Sequence, residues 1–272
     1  MNTPRPLFFR ALTALDTERH AQLRLPAERK HFGFAAQATL LPLTVAEVGP
    51  ALRHYPIVLV AEGQQLALVA MTGLGDSGNR FVQPSGEWRA GTYIPAYVRG
   101  YPFIAVRPSA DAEPVLAFDP QAQDFAQAQG QTQGQRLIGA DGQPSEQLKG
   151  ILAFHAEYRQ LAERTQAMAQ ALREAGVLEE GGLQLQGAAG TAPQKIGGFW
   201  VVSESRLKAL SGPALQKLMD ADALGLAYAQ LFSMGSLPQL FAAPAGAPPE
   251  STAPTAANPA KASAKRSKKT AQ

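Results

Sequence analysis

The chain of 272 residues contains no cysteine. Disulfides, thiolate catalysis and cysteine metal sites are therefore excluded. Histidine is scarce: His20, His31, His54 and His155 are the only four. None stands in H-E-x-x-H or any other metal spacing, so neither a metal nor a cofactor is expected. Charged residues make up only 17% of the chain, against 45% hydrophobic. That balance belongs to a globular chain long enough to bury a core. No apolar run approaches the ~18 residues of a membrane span. The N-terminal stretch lacks a secretory signal: Arg10 and Asp16 break its apolar run, and no small-residue cleavage site follows. The expected location is the cytoplasm, the cell surface being reachable only by a leaderless route.

Phosphate and acyl-transfer signatures are missing too. Gly73–Asn79 is glycine-rich and follows an expected strand, but no G-x-G-x-x-G or Walker lysine is there, so it reads as a connector. No G-x-S-x-G elbow exists. The carboxylates are scattered through expected turns, and no catalytic residue is nominated.

The charge that is present is uneven. From Ala243 onward there are five basic residues and one acid, Glu250, which leaves 20 basic and 21 acidic residues in the body. The pI near 9.2 thus owes much to the tail. The tail is rich in Pro, Ala, Ser and Thr and lacks the apolar area to offset its ordering entropy. It also lacks aromatics to stack on bases, so no specific nucleic acid is expected as partner. The domain reading is one globular unit over 1–242 and a disordered basic tail over 243–272.

Within the body the pattern predicts an α+β fold. A mixed, mostly antiparallel sheet of short strands occupies the N-terminal half. Leu7–Phe9 reads as an edge strand. Thr44 and Glu47 have capping-box spacing before a short helix that is interrupted by Pro50 or ends near it. Ile57–Ala61 and Leu66–Thr72 read as a hairpin around Glu62–Gln65, followed by strands at Phe81-Val82, Gly91–Tyr97, Phe103–Arg107 and Val115–Phe118. Gln121–Gln147 reads as a long connection anchored by Leu137-Ile138. One long helix is expected over about 145–175, capped by Ser145 and closed by Gly176, with Leu148, His155, Thr165 and Leu172 on its apolar stripe. Gly181–Gln194 reads as a second loop with a little strand potential at Leu183–Leu185. The C-terminal part reads as strand-helix-strand, with 224–232 ambiguous between strand and helix.

The most unusual stretch is Phe81–Arg107. It carries Trp88, Tyr93, Tyr97 and Tyr101, with Arg99 among them. Pro95 and Pro102 push their predecessors towards extended conformations. Strand alternation then places Tyr97, Arg99 and Tyr101 on one face. A guanidinium among rings can stack and still offer a planar fork to a carboxylate; a structural arginine is the competing reading. His155, on an apolar helix stripe, reads first as an interior histidine. His31, beside Phe32 and Phe34, is a candidate pocket residue.

These strings carry a resemblance. HFGFA…PLTVAEVGPALRHYPIVL, NRFVQPSGEWRAGTYIPAYVRGYPFI and GGFWVVSESRLKALSGPALQKLMDADALGLAYAQLFSMGSL resemble the bacterial SapC family over roughly Pro4–Phe241. The family pattern has histidine after the tyrosine-alanine pair; this chain has Gln230, so no imidazole chemistry carries over there. The resemblance implies a link to surface-layer (S-layer) systems and assigns no catalytic residue. The chain has no repeat, its body is near neutral, and it lacks a signal, so the expected role is a non-enzymatic binding or accessory protein rather than a lattice subunit. Its expected partner is a protein or envelope component, held by Trp88, Tyr93, Tyr97, Arg99, Tyr101 and His31. The alternative is an enzyme or small-ligand protein with a pocket between the sheet and the long helix, using His31, Arg99 and His155.

Overall fold

The computed structural model describes residues 5–26, 28–109, 112–125, 134–185 and 194–241. The expected tail from Ala243 lies outside the described residues, as does the middle of the Gln121–Gln147 connection. The fold is α+β, and every described ladder is antiparallel.

The larger sheet is built on the expected hairpin, β4 (Ile57–Glu62) and β5 (Gln65–Met71). Its order is β3-β5-β4-β10-β9, where β3 is Leu40–Pro42, β9 is Leu178–Leu185 and β10 is Gln194–Val202. The last two correct the loop reading at Gly181–Leu185 and Gln194, the rest of that stretch, 186–193, lying outside the described residues. Their glycines permit close packing instead: a Cβ on Gly181 would stand 2.1 Å from the Phe199 ring. A smaller sheet has the order β1-β7-β6, from Thr13–Ala14, Val115–Phe118 and Phe103–Val106. A two-residue pair, β2 (Arg24–Leu25) with β8 (Gln135–Arg136), completes the strands.

Three sequence expectations fail locally. Leu7–Phe9 is not a strand; Phe8 turns with φ of 78°, and the edge of the small sheet is supplied by β1. Phe81-Val82 makes only an isolated bridge to Trp88. Gly91–Tyr97 is no strand either: its end enters α2, Ala96–Gly100, the helix that follows the short α1, Val48–Ala51. In the C-terminal part the ambiguous stretch is helical, so three helices follow the β9–β10 hairpin: α4 (Glu204–Lys208), α5 (Gly212–Asp220) and α6 (Ala223–Ser233).

The long helix, α3, spans Glu146–Glu174. Ser145 caps it by accepting from the Leu148 N–H at 3.3 Å, and Gly176 follows its end with φ of 68°. Two hydrophobic clusters lie beneath it. Leu148 joins the one formed with Phe103, Phe118, Leu137 and Ile138. Met168, Ala169 and Leu172 join the larger one over the five-stranded sheet. Between Leu148 and Thr165, His155 is the only fully buried helix residue. The apolar stripe is thus covered at both ends and left partly open in the middle.

Helix α6 is fixed to the larger sheet through Gln230, which is fully buried. Its Oε1 accepts from the Val202 N–H at 2.9 Å, and its Nε2 donates to the Ile57 carbonyl at 3.0 Å. The glutamine therefore satisfies two strand ends at once. Gln230→Leu would leave both backbone groups unpaired, at an expected cost of about 2 kcal/mol. Urea unfolding would measure it; a loss below ~0.5 kcal/mol would show that water replaces the amide.

Candidate functional site

The site is built where α2 crosses α3. Pro95 ends the extended approach, and Ala96–Gly100 makes one helical turn. The turn has no cap from its own sequence. It is held instead by the buried carboxylate of Glu47. One oxygen, Oε2, accepts from the Thr44 N–H and hydroxyl, both at 2.9 Å, which is the expected reciprocal half of the capping box. The other, Oε1, accepts from the Ala96 N–H at 2.5 Å and the Tyr93 hydroxyl at 3.1 Å. The Tyr93 hydroxyl in turn accepts from Arg99 Nη2 at 3.2 Å. Burial, and then the Glu47 charge, push the Tyr93 phenol up, so it stays neutral.

Gly100 sets how near α2 can come. A Cβ there would lie 2.9 Å from His155 Cε1 and 3.1 Å from Phe154 Cε1. With glycine the two helices touch, and their side chains enclose a chamber of about 200 Å³ between α2, β6 and α3. Its walls are Phe9, Tyr97, Phe103, Phe154 and Tyr158, with His155 among them. A second chamber of about 300 Å³ shares Gly100, Phe103, Phe154 and His155 and opens towards Arg29, Arg99 and Gln147. In the other direction the first chamber shares Tyr97, Tyr158, Arg159 and Ala162 with a cavity of about 320 Å³. A last cavity shares Gln65, Leu66, Glu163 and Gln166 with that one and ends at Arg173. The four follow one another along α3 from Gln147 to Arg173, neighbours sharing wall residues, and together make a groove that at 1.5 Å per helical residue spans about 39 Å.

Two polar atoms in this groove lack partners. His155 Nε2 and Gln147 Oε1 are both buried without a hydrogen bond. The third such atom among the described residues, Trp88 Nε1, lies in the core. Burial pushes the His155 imidazole down to about 4, the Gly100 backbone acting in the opposite direction. At neutral pH it is uncharged and offers one hydrogen bond at Nε2, as donor or acceptor according to tautomer.

The nominated residues divide. Tyr97, Arg99 and Tyr101 line the groove, but not as one strand face. The helical turn separates Arg99 from the two tyrosines, because i and i+4 align while i+2 points away. The Tyr97 hydroxyl donates to the Leu7 carbonyl at 3.1 Å. Tyr101 is buried, stacks on Phe34 at 4.2 Å and donates to Asp119 Oδ2 at 3.2 Å. Arg99 is exposed, donates from Nε to the Ile94 carbonyl at 3.1 Å, and lies 5.5 Å from the Phe154 ring centroid. Tyr93 stands behind Arg99 as its support. Trp88 is 7% exposed and packs against Phe32 at 5.8 Å in the main core, so it offers no surface. His31 is exposed and lines a separate cavity of about 240 Å³ with Arg10, Phe34 and Asp124. Of His31, Arg99 and His155, only the last two share a chamber.

Sequence reasoning did not single out Phe103, Phe154, Gln147 or Gly100. A helix with an apolar stripe and a second aromatic, Phe154, just off it was the available signal. The fold and groove define an α+β protein with a helix-backed, aromatic-lined cleft and a neutral imidazole in it. Residues 15–240 match the SapC family model, and the chain belongs to that family. No curated protein and no solved structure matches it.

Proposed function

We propose that this SapC-family protein is a non-enzymatic binding or accessory protein of bacterial surface-layer or envelope systems, and that the groove along α3 holds its partner. One observation carries the groove: of the three orphaned buried polar side-chain atoms among the described residues, two line it. Buried polar groups are nearly always paired, so atoms left open along a cleft point to a bound group that completes them. The shape suits an extended segment of an envelope component. Arg99, held by Tyr93 and Ile94 yet exposed, is the charged contact at one end.

The test is capture of envelope material from the source bacterium by the full-length protein. Gly150 lines the groove and a Cβ there meets no atom within 4 Å, so Gly150→Trp starts its side chain into open space at the groove. Gly150→Trp and Arg99→Ala are each expected to lower capture at least tenfold, which is about 1.4 kcal/mol, with cooperative unfolding retained. Capture equal to wild type in either variant counts against the groove.

A further inference from the structure

We infer that the aromatic chamber at His155 is a binding site for a phenol, the hydroxyl being hydrogen-bonded to Nε2. This rests on the groove being a binding site and names what its deepest part accepts. The chamber holds about 200 Å³, the scale of a single substituted ring. Five aromatic residues wall it, Phe9, Tyr97, Phe103, Phe154 and Tyr158, and such rings favour edge and offset contacts with a further ring. His155 is 6% exposed and its Nε2 has no partner.

The unpaired atom selects the ligand's polar group. An ionised carboxylate entering so apolar a chamber loses its hydration and meets an uncharged imidazole in return. A purely apolar ring leaves Nε2 unsatisfied. A hydroxyl is both donor and acceptor, so it completes Nε2 in either tautomer and carries no charge. Among the remaining polar side chains of the chamber, the Tyr158 hydroxyl has no hydrogen bond to another described residue and is a second group that a ligand hydroxyl can meet; the other two are engaged. The Tyr97 hydroxyl is committed to the Leu7 carbonyl, and Arg159 is paired with Glu163 at 2.9 Å. The phenol could be a free small molecule or a tyrosine side chain of a segment lying in the groove; the chamber chemistry is the same.

The experiment titrates full-length protein with p-cresol and, separately, toluene by calorimetry, and follows the His155 ring nitrogens by ¹⁵N NMR. The p-cresol is expected to bind at least tenfold tighter than toluene and to shift the Nε2 resonance. In His155→Leu the preference should fall below about threefold while toluene still binds. Equal affinities in wild type, no saturable p-cresol binding, or an unmoved Nε2 signal at saturation overturns the proposal; the NMR arm needs no variant to fold. A tyrosine-centred heptapeptide separates the sources: affinity tenfold above p-cresol marks a protein segment, equal or weaker affinity a free phenol. Groove-dependent envelope capture without p-cresol binding would remove the phenol and leave the groove. The converse would remove the envelope reading and leave the chamber.

Discussion

Glu47→Ala is expected to destabilise the protein by about 4 kcal/mol, the range seen when one side of a buried charged network is removed. The carboxylate is 4% exposed and accepts four hydrogen bonds. Its loss strands the N–H groups of Thr44 and Ala96, both in buried residues, and each stranded donor costs about 1–3 kcal/mol. The Tyr93 hydroxyl loses its acceptor as well, and with it the fixed position of Arg99. Glu47→Gln keeps the shape and one acceptor oxygen, but its NH₂ must then face a donor. About 2 kcal/mol is expected from that mismatch. Urea unfolding of both variants measures these values. A loss below ~1 kcal/mol in Glu47→Ala would mean that α2 does not depend on this carboxylate. The same variants should weaken envelope capture, since α2 carries Tyr97, Arg99 and Gly100 into the groove.

Glu47 also shows what the sequence could and could not disclose. The Thr44–Glu47 spacing was legible because both partners lie within one turn. The second half of the carboxylate's work was not, because Tyr93 and Ala96 are almost fifty residues away. For the same reason α2 was read as a strand. Its prolines and tyrosines favour extended structure locally, and the carboxylate that caps the turn comes from elsewhere. The long helix was legible over nearly its whole length, since Ser145, Gly176 and a 3.6-residue stripe are all local signals. The β9–β10 hairpin was half hidden: Gly181 and Gly198 look like loop residues until the Phe199 ring is seen lying against Gly181. The groove was invisible in the stripe itself. Periodicity marks which face of a helix is apolar, and only the tertiary packing reveals that its middle is left partly uncovered.

Stability is expected to fall by about 3 kcal/mol between pH 7 and pH 4 through His155 alone, at about 1.4 kcal/mol per unit of displaced pKa. Burial holds the folded imidazole near 4, against 6.5 for the free side chain. Above pH 6.5 the ring is neutral in both states and folding carries no protonation penalty. Between 6.5 and 4 the unfolded chain binds a proton that the folded chain refuses, so unfolding becomes progressively favoured as pH falls. Below 4 both states are protonated and the effect levels off. Among the described residues no carboxylate lines the two chambers around His155; the charged side chains there are Arg29, Arg99 and Arg159. Other ionisable groups add their own pH dependence, so the informative quantity is the difference between wild type and His155→Leu. Urea unfolding at pH 7, 5.5 and 4 should show the wild type losing about 3 kcal/mol more than the variant, most of it below pH 6. Parallel losses in the two proteins would place the imidazole in contact with water, and the chamber could then no longer be treated as a dry site for an uncharged ligand.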